Sequence, residues 1–222
     1  MNANAIVLAA LRQTGRYGTT DTPPAAEISN VLESLNVIVK AMVKNQKPLW
    51  CLQRVAIPLT VATATFNLST LSGSTRPLRC TYAFIRDSVG NDTTVSLIAR
   101  DDYSTLGQKA SPGTPNQAYF DPQLGAATLT VYNVPADGTH TLYVDIQRQI
   151  QDFNVLTDNP DFPQEAYHML KWCLADEIAL EYLTPADMRA SISQKAATAY
   201  VAFFDEEREE VSTFFTPSER SR

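Results

Sequence analysis

The stretch Ile28-Ser29-Asn30-Val31-Leu32-Glu33-Ser34-Leu35-Asn36-Val37-Ile38-Val39-Lys40-Ala41-Met42 places Ile28, Val31, Leu32, Leu35, Ile38, Val39 and Met42 at steps of three and four. That spacing lines one face of a 3.6-residue helix. The pattern opens after Thr22-Pro23-Pro24 and is ended by Pro48, because proline cannot continue a helix interior. Ahead of it, Ile6, Val7, Leu8 and Leu11 form a shorter apolar cluster that stops at Gly15 and Gly18, which predicts a helix of about three turns.

Behind it the period falls to two. From Gln53 to Arg148, β-branched and aromatic residues alternate with polar ones, and turn residues recur throughout. The expected strands are Leu59 to Leu68, Pro77 to Arg86, Thr93 to Arg100, Ala126 to Val134 and Thr139 to Arg148. Turns are expected at Ser72-Gly73-Ser74, Val89-Gly90-Asn91-Asp92 and Pro135-Ala136-Asp137-Gly138. The last of these lies between Thr128–Tyr132 and Thr141–Ile146 and predicts that the two pair as a hairpin. Asp101 to Leu124, rich in Gly, Pro, Asn and Ser, reads as a loop in which Ala118-Tyr119-Phe120 adds at most a short strand.

After Asp158-Asn159-Pro160 the helical period returns in Tyr167, Leu170, Leu174, Ile178 and Tyr182, a stripe broadened by Met169, Trp172 and Cys173. Asp161 is the expected cap and Pro163 suits the first turn. Thr184-Pro185-Ala186-Asp187 predicts a second start by a reciprocal cap, with Met188, Ile192, Ala196, Ala199, Tyr200 and Phe203 facing inward. This helix runs into the acidic stretch Asp205-Glu206-Glu207-Arg208-Glu209-Glu210, and a polar tail carrying Phe214 and Phe215 follows.

The expected fold class is therefore α+β. A four-helix core comes from both chain ends, an antiparallel β-sandwich-like region is inserted between its halves, and a C-terminal tail extends from it. The divisions fall at 1–52 for the N-terminal helices, 53–152 for the β domain, 153–211 for the helical hairpin that completes the core, and 212–222 for the tail.

Composition narrows the role. The chain is 44% hydrophobic and 19% charged over 222 residues, enough to bury a core and too ordered for a low-complexity class. Its longest apolar run, Ala5 to Leu11, falls far short of the roughly 20 residues that cross a bilayer, so no membrane partner is expected. The run also lacks the flanks of a secretory signal. A net charge of -6 disfavours general affinity for a phosphate backbone and points to protein partners. Cys51, Cys80 and Cys173 stand apart and odd in number, as free thiols of a reducing compartment do. The mild positive bias of Arg12, Arg16, Lys40, Lys44 and Lys47 reads as a solubilising face.

No enzyme signature stands out, and no cofactor is expected. His140 lies by a turn and His168 in a helix, far apart in sequence. There is no G-x-S-x-G, Walker loop, H-E-x-x-H or paired-cysteine spacing. Asp101-Asp102, expected at a solvated strand end, offers no second acid across a sugar, and Asp158 to Asp161 lacks a calcium loop's glycine and distal glutamate.

Two stretches carry a family resemblance. Tyr103-Ser104-Thr105-Leu106-Gly107-Gln108-Lys109, with Gly113-Thr114-Pro115, Tyr119-Phe120 and a strand ending Val134-Pro135, resembles phage structural proteins of the head-to-tail group. Asp152-Phe153, then Asp161-Phe162-Pro163-Gln164-Glu165, Leu170-Lys171-Trp172 and Leu174 to Tyr182 is similar to the helix-opening pattern of short-tailed phage adaptors, the tail accessory factors. The likeness covers the C-terminal half, and the first helices match by layout alone.

The resemblance implies a virion protein of the neck, assembled in the host cytoplasm. It would sit below the portal ring beside neighbouring adaptor subunits, in a ring of about twelve copies. It would also present a surface to a tail or nozzle protein and meet DNA only as passing cargo. Phe214, Phe215, Thr216 and Pro217 are the expected docking residues for the portal or a neighbour, and Asp205, Glu206, Glu207, Glu209 and Glu210 the expected channel-facing acidic surface. The β insert here is long, so its partner does not follow from the family. The competing class is a binding module for a glycan or protein ligand, using Tyr82, Tyr103, Tyr119, Tyr132 and Tyr143.

Overall fold

The computed structural model describes residues 2–45, 48–73 and 76–206 and is a mixed α+β fold. Its helices are α1 (Ala3–Gln13), α2 (Ala25–Asn45), α3 (Leu68–Ser72), α4 (Arg100–Thr105), α5 (Ala166–Ile178) and α6 (Ala186–Glu206). Its strands are β1 (Leu52–Pro58), β2 (Thr65–Asn67), β3 (Arg79–Arg86), β4 (Asp92–Thr94), β5 (Ser96–Ile98), β6 (Pro112–Gly113), β7 (Gln117–Asp121), β8 (Thr128–Tyr132), β9 (Val134–Pro135) and β10 (Thr141–Gln147).

Helix α1 begins where Asn2 Oδ1 accepts from the Ala5 N–H at 3.1 Å, satisfying one of the donors every helix start leaves open. It ends before Gly15, whose φ of +77° suits a residue without a side chain, and a Cβ there would fall 2.9 Å from Met188 Cε. Arg16 and Tyr17 both donate to Glu27 in the first turn of α2, which fixes how the second helix leaves the first.

The periodic stripe of α2 is its buried face: Val31, Leu32, Leu35, Ile38, Val39 and Met42 are covered, and Ile28 packs at the margin. Side chains of α1, α2, α5 and α6 join Cys51, Ile150, Phe153 and Phe162 in one buried cluster. Removing each large side chain there from water contributes about 1.5–3 kcal/mol. Backbone bonds tie the early chain to the late chain: the Ala3 and Asn4 N–H groups donate to the Asp158 and Leu156 carbonyls, both at 2.9 Å. Across the other end of α1, the buried Thr184 hydroxyl donates to the Thr14 carbonyl at 3.2 Å.

The strands form two four-stranded sheets, β1-β10-β3-β4 and β2-β8-β7-β5, with β6 and β9 as a separate pair. Alternation sends Val55, Ile57, Ala83, Ile85, Leu142 and Val144 of the first sheet, and Phe66, Ala118, Leu129 and Val131 of the second, into one further buried cluster. This cluster is joined to the helical one through neighbouring antiparallel strands. Leu52 at the start of β1 is paired with Gln147 at the end of β10, and the Arg148 N–H donates to the Cys51 carbonyl at 2.9 Å.

Several local expectations are corrected. Thr128–Tyr132 and Thr141–Ile146 do not pair as a hairpin: β8 lies between β2 and β7, and β10 between β1 and β3. Each segment turns one apolar face into the same buried cluster, β8 from one sheet and β10 from the other. The expected strand Leu59 to Leu68 is a turn followed by β2, and Leu68 opens α3 with Asn67 Oδ1 accepting from the Thr70 N–H at 3.2 Å. Thr93 to Arg100 splits at buried Val95, so that β4 pairs with β3 in one sheet and β5 with β7 in the other.

The β5–β7 and β6–β9 pairings are parallel, so the region is not wholly antiparallel. Asp101 to Leu124 is irregular over half its length; the short strand expected at Ala118-Tyr119-Phe120 is present as part of β7, and the segment also holds most of α4 and the short β6. Asp161 does not cap α5, because its carboxylate is taken by Arg148. Thr184 turns its hydroxyl to Thr14 in place of the cap on Asp187. Met188 is 38% exposed although its sequence position predicts burial, because it covers the Gly15 turn at the rim. Tyr182 lies beyond the end of α5.

Candidate functional site

Two places concentrate side-chain chemistry. The first is the joint between the two clusters. Arg148 donates through Nη1 and Nη2 to both oxygens of Asp161, and also to the carbonyls of Gln149 at 3.1 Å and Trp50 at 3.4 Å. The Trp50 indole N–H returns a bond to the Asp161 carbonyl at 3.1 Å, and its ring packs against Phe162 and Phe203 with centroids 5.4 and 5.7 Å away. Beside it, Asn36 of α2 clasps the returning chain with both ends of its amide: Nδ2 donates to the Phe153 carbonyl at 3.0 Å, and Oδ1 accepts from the Phe153 N–H at 2.9 Å. Lys40 reaches Asp152 at 2.9 Å. This constellation holds structure together; each polar group in it is met by a partner.

The second place is the outer face of the first sheet. Arg54 on β1 grips Asp145 on β10 through two bonds of 2.6 and 2.7 Å, and Arg86 on β3 grips Asp92 on β4 through two of 2.7 and 2.8 Å. Both guanidinium groups lie over the Phe84 ring, at 5.2 and 5.6 Å, while Tyr143 stacks on Phe84 with centroids 5.0 Å apart. Tyr82 lies at the margin, 45% exposed, beside an open cleft lined by Leu52, Gln53, Arg54, Thr81 and Asp145. Bidentate charge-assisted bonds hold both arginines above their already high usual range. Such a face offers an aromatic platform rimmed by donors and acceptors, which suits binding and supplies no activated nucleophile.

Of the tyrosines singled out for a binding face, the structure brings Tyr82 and Tyr143 together there. Tyr103 and Tyr119 stack on each other elsewhere, 5.7 Å apart, with Arg100 donating to Tyr119 Oη at 2.7 Å; Tyr132 is in β8 of the second sheet. Arg54, Phe84, Arg86 and Asp145 were not anticipated. Their signal was available in the alternation, since each sits at an outward position flanked by inward Val55, Ala83, Ile85 or Val144.

The two histidines stay apart. His140 bonds to Asp137 Oδ1 at 2.9 Å in its turn, and His168 meets the edge of Trp172. Asp101 and Asp102 are exposed in the first turn of α4, not at the end of a strand. Asp158 accepts from the Asn154 and Val155 N–H groups at 2.8 and 3.0 Å. Burial pushes the Cys51 and Cys173 thiols up to about 11 and Cys80 to about 12, well away from thiolate chemistry at neutral pH. Among the described residues, no group of three His, Cys, Asp or Glu side chains is placed to hold a metal ion, and no helix is long and apolar enough to cross a membrane.

Asp205 is exposed near the end of α6, and Glu206 is the last residue of that helix. Glu207, Glu209, Glu210, Phe214, Phe215, Thr216 and Pro217 lie outside the described residues. No family model and no curated protein matches the chain.

Proposed function

We propose that the chain is a head-to-tail adaptor of a short-tailed phage, docking on the portal ring, extending the DNA channel and offering the tail an attachment surface. The observation that carries the reading is the layout. Helices from both parts of the chain share one cluster, and the strand-rich segment leaves and rejoins it through the paired strands β1 and β10. In this reading 1–52 and 153–211 make a four-helix core, 53–152 an inserted sandwich-like domain and 212–222 the tail. The core forms the ring with neighbouring subunits, and the inserted domain projects from it.

The sequence stretches around Trp172 and Tyr103 and the net charge of -6 support the same role, since a channel wall must not retain passing DNA. Phe214 and Phe215 supply the docking energy, about 1.5–3 kcal/mol for each ring buried by a partner. Repetition around the ring turns modest contacts into a durable joint.

A second reading rests on the outer face of the first sheet, where Tyr82, Phe84 and Tyr143 lie between two arginine–aspartate pairs. It makes the strand-rich segment a binding module for a glycan or protein. Mass photometry and negative-stain imaging of the purified chain, alone and with the portal protein of the same phage, separate the two. A ring added to one end of the portal supports the adaptor. A chain indifferent to the portal overturns it and directs attention to Tyr82.

A further inference from the structure

Six cations of this acidic chain are engaged in ion pairs among the described residues. Arg16, Lys40, Arg54, Arg86, Arg100 and Arg148 each hold a carboxylate. Lys171 on α5 and Lys195 on α6 do not: among the described residues, neither ammonium is in an ion pair, and both sit 4.6 Å from the centroid of the same ring, that of Trp172. The indole is only 9% exposed, with the His168 ring in a T-shaped contact with it, centroids 6.3 Å apart. Two like charges gathered on one aromatic platform, on adjacent antiparallel helices, repel each other and leave their outward donors unused. The helical neighbours of the lysines relieve nothing: positions three and four residues away are Tyr167, His168, Leu174 and Ala175 on α5, and Ser191, Ile192, Thr198 and Ala199 on α6. The ledge thus presents two ammonium groups side by side without a carboxylate partner among the described residues.

We propose that the ledge formed by Lys171, Trp172 and Lys195 binds the acidic stretch Asp205–Glu210 of a second copy of this chain. The stretch carries five carboxylates in six residues, the densest negative run in the sequence. Its own chain cannot deliver it. Helix α6 runs unbroken from Lys195 to Glu206, which sets Asp205 and Glu206 about 15 Å along the axis from the ledge. From Glu206, four residues to Glu210 span at most about 14 Å fully extended, leaving no length with which to reverse direction. The complement therefore comes from a neighbour, in a head-to-tail contact that repeats from copy to copy and closes into a ring when the rotation allows. The proposal concerns self-association alone and does not depend on the portal reading.

Sedimentation velocity of the full chain at low and high salt tests it, with two variants: K171E/K195E, and a second in which Asp205, Glu206, Glu207, Glu209 and Glu210 are all changed to Lys. The wild type should self-associate at low salt and dissociate as screening rises. Each variant alone should associate about tenfold more weakly. An equimolar mixture of the two should recover association, because each supplies the charge the other needs. Indole emission gives an independent readout, since Trp172 is one of only two tryptophans. Melting curves check that the variants fold, and the mixture removes any doubt, since a misfolded chain would not be rescued.

A wild type that stays monomeric at every salt concentration overturns the proposal. So does a mixture that fails to recover association, or recovery only when both changes are placed in one chain, which would assign the contact within a single copy. Retention of duplex DNA by the wild type and not by K171E/K195E would assign the ledge to a phosphate backbone instead.

Discussion

Arg148 and Asp161 meet as a two-pronged ion pair at the point where the chain leaves β10, with Nη2 donating to Oδ1 at 2.8 Å and Nη1 to Oδ2. Their side chains are 23% and 22% exposed, so the pair is neither a loose surface contact nor fully buried. It sits between the two buried clusters and also holds the Gln151 N–H, at 3.2 Å.

Asp161→Ala leaves the guanidinium half-buried without its counter-charge and should cost about 2–3 kcal/mol. Urea unfolding measures it. Because the pair lies at the joint, the variant should also show a smaller m-value, as the two clusters begin to unfold separately. A loss below about 0.5 kcal/mol would mean that the pair behaves as an ordinary surface contact.

Asn36→Leu keeps the volume and removes both bonds to the Phe153 backbone, leaving a buried N–H and C=O without partners. The expected cost is about 2–3 kcal/mol, again by denaturant. Asn36→Asp keeps one acceptor and should cost less at the N–H while losing the bond to the carbonyl.

Asp87 accepts from the N–H groups of Val89, Gly90 and Asn91 and from the Asn91 amide, which lowers its carboxyl from 3.8 to about 2. A depressed folded value contributes stability above the unfolded value, and that contribution is lost as pH falls through the folded one. The Val89–Asn91 turn should therefore keep its amide chemical shifts down to about pH 3 and lose them near pH 2. Asp137, held at about 2 chiefly by the Thr139 hydroxyl and N–H, should follow the same course.

Cys51, Cys80 and Cys173 should react slowly with a thiol reagent at neutral pH in the folded chain and together once denaturant unfolds it. Fast labelling of Cys51 in native buffer would mean that the joint opens locally.

Deleting Val211–Arg222 should abolish binding to the portal while leaving the melting transition nearly unchanged. Assembly by the shortened chain would overturn the role given to Phe214 and Phe215.

The helices were legible because a helix carries its partner information in its own period: the stripe from Val31 to Met42 is both the reason α2 forms and the face it buries. The sheets were less so. Alternation in Thr128–Tyr132 and Thr141–Gln147 states which side chains face inward, but neighbour choice depends on the other strands competing for each edge. Val95 illustrates the limit, as one buried residue with its N–H bonded to the Ala83 carbonyl divides an apparently continuous strand between two sheets. Asp161 looked like a cap because capping is local, and Arg148, 13 residues away, took it instead. The lysine ledge on Trp172 had no signal in the sequence, since α5 and α6 bring Lys171 and Lys195 together only in three dimensions.

The crossing at Leu52 and Gln147 also sets a timetable for synthesis. Helix α1 packs against α2 and against α5, so the cover of Ile6, Val7 and Leu11 is completed only when a stretch roughly 150 residues downstream has left the ribosome, about 8–30 seconds later at ordinary elongation rates. In that interval the strands between can fold, and pairing β1 with β10 brings the chain leaving α2 and the chain leading to α5 to within one strand spacing at Leu52 and Gln147. The strand-rich segment thus serves the nascent chain as a clasp, shortening a search across roughly a hundred residues to a contact between neighbours.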